Sequence, residues 1–160
     1  MKIALMSDSH DNVPAMEEAI RRARDLGAEA VLFAGDLVAP FTAKRLKAFE
    51  GPVYAVFGNN DGERQGLSAM LDIVDGPRTV ELGARRIVIV HDIQDLGAVG
   101  DGADLVVCGH THDAGVEPGP PMVVNPGEIG GWLTGRKTFC IADLSTLKIE
   151  TIELDGTDRQ

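Results

Sequence analysis

Lys2-Ile3-Ala4-Leu5-Met6-Ser7-Asp8-Ser9-His10 is an apolar run that stops abruptly in hydroxyl, carboxylate and imidazole side chains. The pattern returns four times. Ala30-Val31-Leu32-Phe33-Ala34-Gly35-Asp36 and Val53-Tyr54-Ala55-Val56-Phe57-Gly58-Asn59 close on glycine followed by an acid or an amide. Ile87-Val88-Ile89-Val90-His91 and Leu105-Val106-Val107-Cys108-Gly109-His110-Thr111-His112 close on histidine. Short runs of this kind, bounded by turn formers, read as buried strands. In an open α/β sheet the carboxyl ends of the strands form one rim, where ligands bind. The five runs would therefore deliver Asp8, His10, Asp36, Asn59, His91, His110 and His112 to a single polar rim, a composition suited to two metal ions.

Between the first runs the period changes from strand to helix. Val13, Met16, Ala19, Ile20, Ala23 and Leu26 share one helical face, Asn12 is a candidate cap, Pro14 fits the first turn and Gly27 follows the end. Further helices are expected over about 40–49, opened by Pro40, and over roughly 64–72. Three βα units predict parallel strands joined by right-handed crossovers. Residues 80–90 instead read as a hairpin turning at Gly83-Ala84, and a short helical piece is expected over 95–100. A strand is expected near 104–108, and from 114 onward strands near 114–117, 121–124, 137–143 and 147–154 are spaced as antiparallel meanders are. The expected fold class is α/β, with two mixed β-sheets packed face to face and helices outside, as one domain over 1–155 and a frayed tail at 156–160.

Composition excludes several classes. At 160 residues with 44% hydrophobic content the chain has one well-buried core. Its apolar runs fall far short of the roughly 18 residues of a membrane span. Ser7-Asp8 interrupts the first run too early for a signal peptide, and free, buried thiols at Cys108 and Cys140 suggest a reducing cytoplasm. Cys108 and Cys140 match no paired metal or redox spacing. The net charge of −10 stays acidic even after two divalent cations are added, which argues against an extended nucleic-acid footprint. A small phosphorylated substrate held through metal ions requires no basic surface.

Asp36 is the candidate bridge, because a carboxylate has two oxygens to offer two cations. Asn59 offers a neutral carbonyl oxygen, and the histidines offer imidazole nitrogen. An oxygen and nitrogen set without thiolate favours manganese first, with nickel, iron, zinc or cobalt as alternatives.

In this order, Asp8-x-His10, Gly35-Asp36, Gly58-Asn59-x-Asp61, His91 and Gly109-His110-x-His112 resemble the motifs of the calcineurin-like metallophosphoesterases. The short length and Asn125-Pro126-Gly127 resemble its small bacterial and archaeal phosphodiesterase branch. The resemblance implies a four-layer α/β/β/α sandwich with a dinuclear site. Asp8, His10, Asp36 and His112 would hold one ion; Asp36, Asn59, His91 and His110 would hold the other. It implies hydrolysis of a small phosphodiester by attack of a metal-activated hydroxide, with Asn59, His110 and Asp61 contributing to catalysis. Metallo-β-lactamases need another His-x-His context, amidohydrolases a longer barrel, and haloacid-dehalogenase phosphatases a second Asp at position 10.

The chain departs from the family pattern in places. Asn60 stands where many members carry a histidine that protonates the leaving group, which predicts a bias toward good leaving groups or a proton from water or His110. Asp61 has two open readings: orienting an imidazole, or capping the helix near 63–64. Glu128 follows Asn125-Pro126-Gly127 where serine is common, and a surface position is expected for it. Asn12 and Asn60 are candidate phosphate contacts. Trp132 and Leu133, in a Gly-rich loop, read either as an apolar contact for a partner or second subunit, or as part of the core edge. A phosphomonoesterase and a non-catalytic interaction module of the retromer-scaffold type are the alternatives; a homo-oligomer stays open.

Overall fold

The computed structural model describes residues 1–154. Strands β1 (Lys2–Met6), β2 (Ala30–Phe33), β3 (Val53–Val56) and β4 (Asp72–Val74) run parallel and adjacent. Two later strands, β10 (Thr138–Asp143) and β11 (Lys148–Glu153), complete this sheet, with β10 antiparallel beside β1 and β11 antiparallel beside β10. The second sheet has the order β5-β6-β7-β9-β8, from β5 (Arg78–Leu82), β6 (Arg85–Ile89), β7 (Leu105–Val107), β8 (Gly115–Glu117) and β9 (Met122–Asn125).

The sheets pack face to face. Ile3, Leu5, Leu32 and Val56 of the first meet Ile87, Ile89, Leu105 and Val107 of the second in one buried cluster. The opposite face of the first sheet, with Met6, Val31 and Phe33, is covered by helices α1 (Val13–Asp25), α2 (Pro40–Leu46) and α3 (Arg64–Ser68) through residues such as Met16, Leu46 and Leu67. The outer layer on the second sheet is thin. Two 3₁₀ turns, Ile93–Asp95 and Gly97–Gly100, lie there, with Leu96 against Val88, Val90 and Val106.

The α/β class and the two mixed sheets are as the pattern predicts, and the differences are local. The third helix stops at Ser68 rather than near 72, because the chain turns so that Ile73 is buried in β4, a three-residue edge strand too short to show a period. The second half is not a simple meander: β6, β7 and β9 are parallel neighbours, while β5–β6, β8–β9 and β10–β11 are antiparallel. Turn chemistry at Gly83-Ala84, both at positive φ, fixes the predicted hairpin. The expected tail at 156–160 lies outside the described residues.

Candidate metal centre

The loops that leave β1, β2 and β3 of the first sheet and β6 and β7 of the second carry the polar residues to one place. Asp8, His10, Asp36, His110 and His112 all have positive φ, a region in which Asp, Asn and His are enriched among non-glycine residues and which costs of order 1–2 kcal/mol each. Asp8 and His10 lie beyond the end of β1 and reach the same point through a tight turn.

Glycines let the loops close. A Cβ on Gly58 would collide with the Asp36 carboxylate, and one on Gly109 with the Ser7 hydroxyl and the Asp8 carboxylate. Both backbones can approach those groups only without a side chain.

The seven donors converge. His10 and His112 stack with ring centroids 5.0 Å apart, and His91 and His110 meet edge to face at 5.2 Å. Asp36 Oδ2 lies between the pairs, 3.3 Å from His10 Nε2 and 3.4 Å from His91 Nε2. Asp8 Oδ1 is 3.4 Å from His112 Nε2 and 3.7 Å from His10 Nε2. Asn59 Oδ1 lies 2.8 Å from His91 Nε2 and 3.2 Å from His110 Nδ1.

The tautomers follow from the braces. His91 Nδ1–H donates to the Ala34 carbonyl at 2.7 Å, and His112 Nδ1–H donates to Glu128 Oε2 at 2.8 Å. Each brace turns Nε2 toward the cluster, the usual arrangement of a metal-binding imidazole and its support.

Charge is concentrated here. The carboxylates of Asp36 and then Asp8 beside the ring push the pKa of His10 up to about 10. Burial opposes ionisation of Asp36, but the His10 and His91 imidazoles and the hydrogen bonds from Asn60 outweigh it and hold the carboxyl far below the usual range. Burial likewise disfavours the His91 cation, yet Asp36 and the Ala34 carbonyl raise its pKa.

These residues fit divalent cations. Asp8 Oδ1 and His10 Nε2 are buried and, among the described residues, lack a hydrogen-bond partner despite their charged neighbours. Buried polar atoms rarely go unpaired, because desolvation is costly. Asp8, His10 and His112 group closely enough to share one ion, as do Asp8, Asp36 and His91. The donors are oxygen and imidazole nitrogen. Cys108, buried with its thiol pushed up to about 11, stands outside both groups.

A model of the calcineurin-like phosphoesterase superfamily domain matches residues 1–147. This chain belongs to that superfamily. It is 34% identical to a phosphodiesterase of Methanocaldococcus jannaschii, over 97% of this chain and all of that one. A solved archaeal phosphodiesterase superposes with a TM-score of 0.88 at 34% identity, covering 96% of this chain and 100% of the other. Vps29 of Chaetomium thermophilum shares the fold with a TM-score of 0.70 at 17% identity, over 96% of this chain and 95% of that one. The expectation of a phosphoric ester hydrolase accords with the family and with its archaeal relatives.

Other expected residues sit differently. Among the described residues Asp61 neither hydrogen-bonds an imidazole nor caps α3, whose N-cap is Glu63. The buried carboxylate of Asp61 accepts from the backbone N–H groups of Gly58, Asp36 and Val38, tying the second and third loops together. Burial outweighs those bonds and raises its pKa. Asn12 is not free to contact phosphate: its Oδ1 caps α1 at Ala15 and its Nδ2 donates to the Gly130 carbonyl. Asn60 is exposed and donates from backbone and side chain to the two oxygens of Asp36.

Glu128 corrects the expectation of a surface acid. It is fully buried and accepts from His112, from the backbone N–H groups of Trp132, Leu133 and Thr134, and from the Thr134 hydroxyl. Burial alone would raise its pKa, but these donors lower it. A carboxylate followed by Ile129-Gly130-Gly131-Trp132, with apolar and small neighbours throughout, was the sequence signal for an enclosed acid.

Proposed function

We propose that this chain is a metal-dependent phosphodiesterase acting on small phosphodiesters at two divalent cations. Asp8, His10, Asp36 and His112 would hold one cation, and Asp36, Asn59, His91 and His110 the other, with Asp36 shared. The observation that carries this reading is Asp36 Oδ2 within 3.4 Å of a histidine Nε2 on each side, with His10 Nε2 itself and Asp8 Oδ1 buried and without a hydrogen bond. When bound, such cations neutralise phosphate oxygens and acidify a water. Manganese is the expected metal, given the oxygen and imidazole donors.

The residues of the chain prepare the site for that chemistry. Asn60 holds both oxygens of Asp36 and so fixes the shared carboxylate. Asp61 holds the Asp36 and Gly58 backbones at the distance the cluster needs. Ser7 and Ser9 are buried, their hydroxyls engaged with Asp8 and with backbone carbonyls, so neither is placed to attack phosphorus; water is the nucleophile. Asn60 has no proton to give at neutral pH, and His110 stands at the mouth of the site with its side chain 43% exposed. Esters with good leaving groups are therefore turned over fastest.

Residues 1–155 would act as one unit, a proposal supported by the pairing of β1 with the distant strand β10. A reducing, cytoplasmic setting is supported by two free, buried cysteines; no helix among the described residues is long and apolar enough to cross a membrane.

Metal analysis of the purified protein and assays with bis-(p-nitrophenyl) phosphate and p-nitrophenyl phosphate, with manganese, nickel or zinc, test this reading. Bound metal and faster turnover of the diester are expected. No metal uptake with no turnover of either ester refutes it, and a preference for the monoester makes the enzyme a phosphomonoesterase.

A further inference from the structure

Two clefts flank the donor cluster, and they differ in chemistry. The one beyond His91 and His110, of about 290 Å³, is lined by Asp75, Asp92, Asp95 and Arg64. The one beyond His10 and His112, of about 320 Å³, has Trp132 and Leu133 as its outer wall. Both touch Asn59 and His110, so one ligand seated on the cluster faces both. A phosphodiester has two ester arms to place in them.

Trp132 and Leu133 are the most exposed large apolar residues described, at 65% and 76%. Exposed apolar side chains on a loose loop mean little, but this loop is held firmly. Glu128 receives the Trp132 and Leu133 backbone N–H groups, each at 3.0 Å, with the same carboxylate that braces His112. Ile129 and Gly130 donate to the carbonyls of Ser7 and Asp8, which pairs the loop with the turn that carries Asp8 and His10. The indole Nε1–H donates to the His10 carbonyl at 3.2 Å, and the ring lies so close to Gly130 that a Cβ there would crowd it. The ring is thus oriented while much of its surface faces solvent beside the cluster, the property of a preformed stacking surface.

We propose that Trp132 and Leu133 form an aryl-binding wall of the substrate cleft, which selects phosphodiesters with a planar aromatic ester arm such as an aryl or nucleobase-bearing group. The inference rests on the phosphodiesterase reading above. The volume, near the lower end of the roughly 300–1,000 Å³ of ligand pockets, suits one ring system and not a polymer. The acidic cleft on the other side is left for the polar arm. Trp132 and Leu133 bind and orient substrate; they take no part in bond making.

The test uses the metal-loaded protein. Trp132→Ala is expected to raise KM for bis-(p-nitrophenyl) phosphate about ten-fold with kcat changed less than about two-fold, as loss of a stacking surface should. Trp132→Phe keeps a ring and is expected to restore KM to within about three-fold. Leu133→Ala leaves the backbone bond to Glu128 intact and is expected to raise KM by about three-fold. Trp132 is the only tryptophan, so its emission reports on the wall directly. Diphenyl phosphate should shift that emission to the blue in the zinc-loaded protein, and diethyl phosphate should not.

Unchanged KM in Trp132→Ala, or equal responses to the two phosphates, overturns the proposal. A change of oligomeric state in Trp132→Ala without a change in KM overturns it in favour of a second copy as the occupant. If the wild type hydrolyses no diester yet diphenyl phosphate still shifts the emission, the phosphodiesterase reading fails while the aryl wall stands.

Discussion

The two halves of the donor cluster are built to different standards. Around Asp8, His10 and His112 the side chains are mostly enclosed, Asp8 fully and His112 at 7% exposure, and Asp8 Oδ1 and His10 Nε2 have no hydrogen-bond partner. Around Asn59, His91 and His110 the side chains lie nearer the surface: Asn59 Oδ1 sits 2.8 Å from His91 Nε2 and 3.2 Å from His110 Nδ1, and Asn59 and His110 are exposed. The braces differ too. His112 leans on the buried carboxylate of Glu128, His91 on a backbone carbonyl. A site whose atoms are already desolvated gains more from a cation, once His10 has given up its proton, than one that lies open to water. The first half should therefore bind metal more tightly than the second.

Asp36 belongs to both halves, so Asp36→Asn should abolish the contrast altogether. Activity is expected to fall on the order of 10³-fold, with both cations lost, as read by kcat/KM and elemental analysis. Retention of either ion at wild-type affinity would remove Asp36 from its shared position.

Glu128 separates the halves. In Glu128→Gln the support for His112 loses its charge, and metal affinity of the first half should drop about 10- to 100-fold, as removal of such braces does elsewhere. Calorimetric titration should show the tighter step weakened and the weaker step unmoved. If both steps move together, the halves are not independent.

Protons sharpen the same comparison. The metal-free His10 pKa is raised from 6.5 to about 10, so at neutral pH the imidazole is protonated and must lose that proton to bind metal. Affinity of the tighter step should rise about ten-fold per pH unit between pH 7 and pH 9, with one proton released per ion, measured in buffers of different ionisation enthalpy. The linkage for the metal-free fold has the opposite sense. A raised histidine pKa contributes stability that is full below 6.5 and is lost as pH climbs through about 10.

The smallest expected effect lies between the halves. Asp61→Asn leaves one carbonyl oxygen and an amide where three backbone donors need an acceptor. It should cost about 1–3 kcal/mol of stability in denaturant unfolding, with metal stoichiometry preserved. Loss of a cation instead would make Asp61 part of one half.

Much of this was legible locally. Each donor follows a strand long enough to show its apolar run, and glycine precedes Asp36, Asn59 and His110, where the close approach of neighbouring loops excludes a side chain. Asn12 and Gly27 mark the ends of α1 because capping is a matter of adjacent residues. What escaped was non-local or too short. The strand β4 has three residues and no visible period. The enclosure of Glu128 depends on Trp132, Leu133 and Thr134 folding back over it while His112 arrives from another loop. Asp61 was placed near the right loops, but its backbone partners Asp36 and Val38 lie more than twenty positions away.

By itself the sequence determined the strand runs, the chemistry at their ends and the α/β class, because apolar period, turn residues and ligand type are written in neighbouring positions. Tertiary structure alone decided that β10 and β11 close the first sheet beside β1, that β6, β7 and β9 run parallel, and that a buried glutamate joins a histidine of the cluster to the tryptophan wall. These depend on which distant surfaces bury each other, a choice that no local window of residues records.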